Sequence, residues 1–345
     1  MEELKRAIRA YCEENRIMGV LQITQGDRVL LKTDFGYADR ERKKPFDAHS
    51  RFAFYSLSKP FCAIAFMLLR ERGLVSLTDH PGKILPEAKG FHEKVNFRHI
   101  LTHTSGLPDP ALDHFLPPEA TEARRGEEIL PLLPAIAARP SAFAPGEGQR
   151  YSNINFVLTA LVIEKITGEP YHAFLRREVL LPFGMTASSA DPDQPDRPEN
   201  VQGYELREGA LSPVERGRAW MLGAGDILGT ADDVYCLHRA LRDKKLLSEE
   251  SWREILTPAP QNFMGLGCCV KPFLGRACIR HNGGSAGFRT LHRQFPEDDL
   301  GVVFLSNSGF GDARKAISEM IVNHVYGKTG SASDDVPMDA GYIPG

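Results

Sequence analysis

Ser56 and Lys59 stand three residues apart in Phe54-Tyr55-Ser56-Leu57-Ser58-Lys59-Pro60-Phe61. On a helix that spacing puts a hydroxyl and an amine on one face, one turn apart. If a helix begins here, Ser56 lies in its first turn, where free N–H groups and the positive dipole end favour a developing anion. The residues that follow, Phe61, Ile64, Ala65, Met67, Leu68 and Leu69, are apolar on more than one side. That pattern predicts a core helix over 59–72, closed by Gly73. A lysine at the start of a buried helix is costly as a cation, whereas a neutral lysine is a base that can take a serine proton. An S-x-x-K pair alone occurs by chance in many chains, so other segments must complete any chemistry.

Two segments offer the missing groups. Tyr151-Ser152-Asn153 opens a predicted helix after Pro145-Gly146-Glu147-Gly148. A tyrosine there can carry its oxygen into a cleft, where a neighbouring lysine makes its proton mobile. Asn153 offers one acceptor and two donors, suited to a substrate amide. The plainer reading is a loop tyrosine with Ser152 or Asn153 capping the helix. His281-Asn282-Gly283-Gly284-Ser285-Ala286-Gly287-Phe288 lies between two predicted strands. Its glycines let another group approach the backbone, and the N–H groups of Gly284 and Ser56 could form a two-donor oxyanion hole. The plainer reading is a glycine-rich hairpin turn with an exposed histidine. It serves either motif alone and fails for three in this order.

Ser56-x-x-Lys59, Tyr151-x-Asn153 and His281-x-Gly283, in that order, resemble the serine β-lactamase/penicillin-binding-protein superfamily. The branch resembled holds class C β-lactamases, D-alanyl-D-alanine carboxypeptidases, D-aminopeptidases and family VIII esterases. His99-Ile-Leu-Thr-His-Thr-Ser-Gly-Leu107, Ile163-Glu-Lys-Ile-Thr-Gly168 and Trp220 ahead of Ala224-Gly225 are similar to that branch as well. The resemblance covers about residues 10–326. It implies Ser56 as nucleophile, Lys59 as its activator and Tyr151 as proton partner. It further implies Asn153, His281, Gly283 and Trp220 as substrate-binding residues, with Gly284 N–H in the oxyanion hole. His281 replaces the lysine of most β-lactamases, which weakens the case for an antibiotic-resistance enzyme. Lys328-Thr329-Gly330 follows the last helix and reads as a decoy. His103 reads as a residue ordering the Thr104-Ser105-Gly106 turn, since the family needs no triad histidine.

The resemblance implies acyl transfer to Ser56 from a small ester or D-amino-acid-type amide, then hydrolysis. Other expectations are an acyltransferase or thioesterase-like enzyme of secondary metabolism, a class C-like β-lactamase, or a non-catalytic binding protein on this scaffold. Neither cofactor nor metal is implied.

The elements must bring these segments together. Strand patterns occur near both ends of the chain: 19–23, 29–31, 265–270, 277–280, 288–295 and 301–306. Helices are predicted at the start of the chain and around 97–102, 127–138, 151–167, 170–180, 231–243 and 313–326, with an irregular loop over 185–215. Separated strands cannot remain as open edges, so both ends should share one antiparallel sheet. The expected class is α+β, of the β-lactamase/transpeptidase type. The lobes would be 1–75 with 220–329 (sheet) and 76–219 (helical), with the site between them and a flexible tail over 330–345.

A length of 345 residues with 42% hydrophobic content can bury a large core. A net charge of −3 gives no nucleic-acid footprint. Six cysteines without a C-x-x-C pair suggest neither a zinc cage nor a redox dithiol. No apolar run has membrane-spanning length and the first residues read as an amphipathic helix, so a cytoplasmic protein with a small-molecule substrate and no membrane partner is expected.

Overall fold

The strands from the two chain ends do form one sheet. The computed structural model describes residues 1–110, 113–115, 120, 122–194, 197–217, 219–308 and 313–327. Helix α1 (Glu2–Glu14) leads into the hairpin β1 (Gly19–Gln25) and β2 (Arg28–Phe35). Strand β3 (Phe52–Ala53) and a 3-10 turn (Tyr55–Ser58) precede α2 (Lys59–Glu71) and α3 (Phe97–Leu101). Next come α4 (Gly126–Ile129), α5 (Leu133–Ala137), α6 (Ile154–Thr167), α7 (Tyr171–Leu175) and α8 (Leu181–Phe183). The chain continues through β4 (Gly203–Arg207), β5 (Ala210–Val214), β6 (Leu228–Gly229), α9 (Ala231–Arg242) and α10 (Glu249–Leu256). It ends in β7 (Cys269–Val270), β8 (Ile279–Ser285), β9 (Phe288–Phe295), β10 (Leu300–Ser306) and α11 (Ala313–Tyr326). The main sheet has the order β2-β1-β10-β9-β8-β7, antiparallel throughout.

Helices α1 and α11 cover the outer face of this sheet. Leu4, Ile8 and Cys12 of α1 and Ile317 and Ile321 of α11 pack there with Leu21, Leu291, Val302 and Phe304. The inner face meets α9 and the Ser56 turn, and α2 and α6 pack on each other in the larger core behind it. Every residue of α2 from Lys59 to Leu69 is buried, and Pro60 at its start gives up no helical hydrogen bond. Helix α6 is buried all round from Ile154 to Ile163 and stops at Gly168, whose φ of 72° is the left-handed cap that glycine adopts without steric cost. All six cysteines are free. Burial pushes the thiols of Cys12 and Cys268 up to about 12, so neither is a reactive thiolate. No helix among the described residues is long and apolar enough to cross a membrane.

Several sequence expectations need correcting. The 185–215 stretch contains the hairpin β4–β5, closed by Glu208 (φ 50°) and Gly209 (φ 79°). Its alternation is short and interrupted by Pro213. The strand expected over 265–270 shrinks to Cys269–Val270, because Gly267 leaves the sheet and donates its N–H to Leu101 O on α3 at 2.9 Å. The strand expected over 277–280 runs instead from Ile279 to Ser285, so His281-Asn282-Gly283-Gly284 is strand, not turn. The hairpin turn is Ala286-Gly287 alone, both at positive φ, which matches the twist of the flanking strands. Residues 244–264, unassigned from sequence, hold α10, capped by Ser248. Lys328-Thr329-Gly330 and the 330–345 tail lie outside the described residues.

Candidate active site

Ser56 lies in the 3-10 turn just before α2, not in the first α-helical turn, and Lys59 is the first residue of α2. The turn is fixed from both sides. Phe54 N–H donates to Ile227 O at 2.8 Å, and Ile227 N–H donates to Ser58 Oγ at 3.1 Å. Tyr55 adopts φ 47°, which is strained for an aromatic residue. It is buried, and its ring packs 6.1 Å from that of Phe288.

Lys59 is completely buried, and its Nζ has three oxygen neighbours: Ser56 Oγ at 3.2 Å, Asn153 Oδ1 at 2.9 Å and Ala224 O at 2.8 Å. Burial pushes the amine down to about 7, and the Asp109 carboxylate opposes this. A neutral amine has two N–H donors and one lone pair. Asn153 and Ala224 accept the two donors, which leaves the lone pair for the Ser56 proton. Nζ also sits 4.8 Å from the Tyr151 ring centroid and 5.5 Å from that of Phe156.

Tyr151-Ser152-Asn153 is the irregular lead-in to α6 rather than its first turn. Buried Asp109 holds this lead-in. Its Oδ2 accepts Ser152 Oγ–H at 3.1 Å and also the N–H of Asn153. His103 supports it from below, with its ring 4.3 Å from that of Tyr151 and stacked on it. His103 Nδ1 accepts Ser152 N–H at 3.1 Å, which places the ring proton on Nε2. Burial holds His103 well below its ordinary pKa, so it stays neutral. Its role extends past the expected Thr104-Ser105-Gly106 turn to the whole tyrosine segment.

Strand β8 closes the third side. A Cβ on Gly283 would come 2.0 Å from Phe54 O and 3.1 Å from Leu57 N, so only glycine lets the strand cross the Ser56 turn this closely. Next to it on β9, Thr290 Oγ1 donates to Phe54 O at 3.0 Å. Beyond Arg280, β8 has no strand partner on its β7 side among the described residues. Gly284 lies on this free edge. His281 is buried, not exposed, and burial, reinforced by the Lys59 charge, pushes it down to about 3. It is a neutral imidazole.

Ser56, Lys59, Tyr151, Asn153, His281, Gly283 and Gly284 therefore converge. Trp220 serves differently. Its indole N–H donates to Ala120 O at 2.9 Å and its backbone N–H to Ala123 O. It anchors the loop that delivers Ala224 O to Lys59. Sequence reasoning missed Asp109 and Asp226, and it noted Ala224 only as part of a family-like segment, without a role at the site. Burial pushes the Asp226 carboxyl up to about 7, and its Oδ2 accepts Gly223 N–H at 2.7 Å in the Ala224 loop. No motif marks Asp109, which acts on Ser152 and Asn153 far along the chain, or Asp226, whose local bond to Gly223 gains its meaning only from the Ala224 carbonyl beside Lys59. Among the described residues no group of His, Cys, Asp or Glu is placed to hold a metal ion.

Penicillin-binding protein 4* of Bacillus subtilis (strain 168) is 28% identical over 316 residues, covering 86% of this chain and 69% of its own length. Esterase EstB of Burkholderia gladioli is 29% identical over 263 residues, covering 66% of this chain and 67% of its own. The crystal structure of a penicillin-binding protein from Bacillus halodurans superposes with a TM-score of 0.79 at 26% identity, covering 90% of this chain and 98% of that one. Residues 4–323 match the Beta-lactamase family, and the chain belongs to it, sharing the fold of its serine hydrolases.

Proposed function

We propose that the protein is a serine hydrolase that forms an acyl-enzyme on Ser56 with a small ester or D-amino-acid-type amide. The observation that carries this reading is the buried Lys59 amine, held near neutrality 3.2 Å from the Ser56 hydroxyl. Ser56 Oγ attacks the substrate carbonyl and gives its proton to Lys59 Nζ. The oxyanion is received by the N–H groups of Ser56 and Gly284. Tyr151, stacked on His103 beside Lys59, passes the proton to the leaving group, and water then releases the acyl group.

An ester or D-amino-acid amide is favoured over a β-lactam by the state of His281. Where most β-lactamases present a lysine, this chain has a neutral, buried imidazole. It offers no permanent charge to a β-lactam carboxylate. The similarity to Esterase EstB points the same way.

The test is turnover of p-nitrophenyl acetate and nitrocefin, with intact mass spectrometry to detect the acyl adduct. Ester turnover that Ser56→Ala loses by ~10³-fold or more, with an adduct on wild type only, is the expected result. Faster nitrocefin turnover would make the protein a β-lactamase. No turnover and no labelling by a fluorophosphonate would make it a binding protein.

A further inference from the structure

We infer that the cavity walled by Arg51, Arg176 and Arg197 binds a phosphate or carboxylate group. The cavity has a volume of about 610 Å³, and His49, His172 and Glu199 also line it. It is distinct from the Ser56 site, and the hydrolase reading does not depend on it.

Arg51 is the central observation. It is only 6% exposed, and Nη2 donates to the neutral amide of Gln194 at 2.8 Å. Its Nε is buried without a hydrogen-bond partner, and it makes no ion pair among the described residues. A buried guanidinium without a carboxylate costs several kcal/mol unless an anion compensates it. Two further guanidiniums share the cavity. Arg176 donates to Ser188 O at 3.0 Å, a neutral partner. Arg197 is exposed, and it depresses the pKa of Arg51 further beyond the effect of burial. Asp191 and Glu199 also line the wall, which leaves the three arginines in excess. The charges of Asp233 and Glu199 also reach Arg51, but neither pairs with its guanidinium among the described residues, and Asp233 is occupied by Ser188 Oγ and Thr230 N–H. Forked guanidinium donors facing one cavity suit the oxygens of a phosphate or carboxylate.

The cavity also shares two lining residues with a cleft that reaches Tyr55, the residue before Ser56. Asp191 and Gln194 line both this cavity and a narrow cleft beside Tyr55, Gly225 and Asp226. Arg51 precedes Ser56 by five residues, at most about 18 Å of extended chain. The anion could therefore be a free ion or the far end of a substrate, and the test separates the two.

The experiment is isothermal titration of the full chain with inorganic phosphate, with chloride at matched ionic strength as the control. Saturable phosphate binding is expected, weakened about tenfold in Arg197→Ala and lost in Arg51→Gln, with no response to chloride. Arg197 is exposed, so its variant stays informative even if Arg51→Gln does not fold. No saturable binding by wild type, or equal binding by wild type and Arg197→Ala, overturns the site. Phosphate that competes only against p-nitrophenyl hemiglutarate, and not against p-nitrophenyl acetate, shows that the site takes the carboxylate end of a substrate. Phosphate that binds and leaves both rates unchanged shows that it takes a free anion. Phosphate binding by a chain that turns over neither ester removes the hydrolase reading and leaves the site standing.

Discussion

The two faces of the six-stranded sheet are built on different principles. The outer face packs Leu21, Ile23, Leu291, Val302 and Phe304 against α1 and α11. Its buried Arg293 bonds Ser318 Oγ at 2.9 Å and lies 3.9 Å over the Phe273 ring. The inner face buries Gln22, Thr24, His281, Thr290, His292 and Gln294. Several of their polar atoms, including Gln22 Oε1, Thr24 Oγ1 and Nε2 of both His281 and His292, have no hydrogen-bond partner among the described residues. Native cores seldom keep such atoms, so the polar layer marks where the sheet was shaped for something other than stability. It borders the Ser56 turn, which Thr290 and Gly283 hold in place. Substitutions on the outer face should therefore act on stability, and those at the site on turnover.

Lys59→Met gives the largest expected effect and the clearest separation. Turnover of an ester should fall by ~10³-fold, since no lone pair is left to receive the Ser56 proton. The melting temperature should hold or rise, because a buried amine is replaced by an apolar chain of similar length. Calorimetry beside kinetics checks this, and a large loss of stability would mean that Lys59 holds the core together rather than the chemistry. On the other face, Leu291→Ala should cost roughly 2–5 kcal/mol of unfolding free energy, because Leu291 is fully buried. Its kcat per folded molecule should stay within about twofold. Denaturant melts and active-site titration measure the two quantities, and a matching fall in kcat would erase the distinction between the faces.

The pH dependence comes next. The Lys59 amine is lowered from 10.5 to about 7, so it is protonated below that value and free to act as a base above it. The kcat/KM for a neutral ester should rise with pH up to about 7 and fall about tenfold per unit below it. His281, at about 3, remains neutral across this range and cannot produce that limb. In Lys59→Met the limb should vanish from whatever activity remains. A limb unchanged in that variant would assign it to another group.

What the sequence made legible follows from how local each signal is. The Ser56–Lys59 spacing and the long apolar α2 could be read because a helical period and its chemistry lie within one segment. Most strands of the main sheet could be read by their alternation, and their union in one sheet by the cost of open edges, whereas the short strands β3 to β6 could not. The strand identity of His281–Gly284 could not. Glycines look like a turn, and only the crossing over Phe54 O and Leu57 N explains why the strand needs them. Asp109 was equally illegible, since its value lies in reaching Asn153 across 44 residues, and the family-like Ala224 segment gave no sign that its carbonyl meets Lys59 across 165. The place of His281 at the site could be expected from the motif, but its burial and neutral imidazole could not, because burial is a property of the fold rather than of the motif.

Thr290→Val carries the smallest expected effect and tests the idea most narrowly. Thr290 and Leu291 are neighbours on β9 that face opposite sides of the sheet. Valine keeps the shape of threonine and removes one hydroxyl, so Phe54 O loses its 3.0 Å donor while packing is preserved. The stability cost should be about 1 kcal/mol, the net worth of one hydrogen bond. Phe54 O also accepts Leu57 N–H at 3.2 Å, so the carbonyl is not left bare and the turn should persist. What changes is the angle at which β8 and β9 hold the Ser56 turn against Gly284. If both oxyanion donors depend on that angle, kcat should drop several-fold with KM little altered, because the misplaced N–H groups matter most once the oxyanion forms. Thr290→Ser, which restores the hydroxyl, should recover most of the rate. A Thr290→Val enzyme with wild-type kcat and lowered stability would place Thr290 with the outer-face residues, as packing alone.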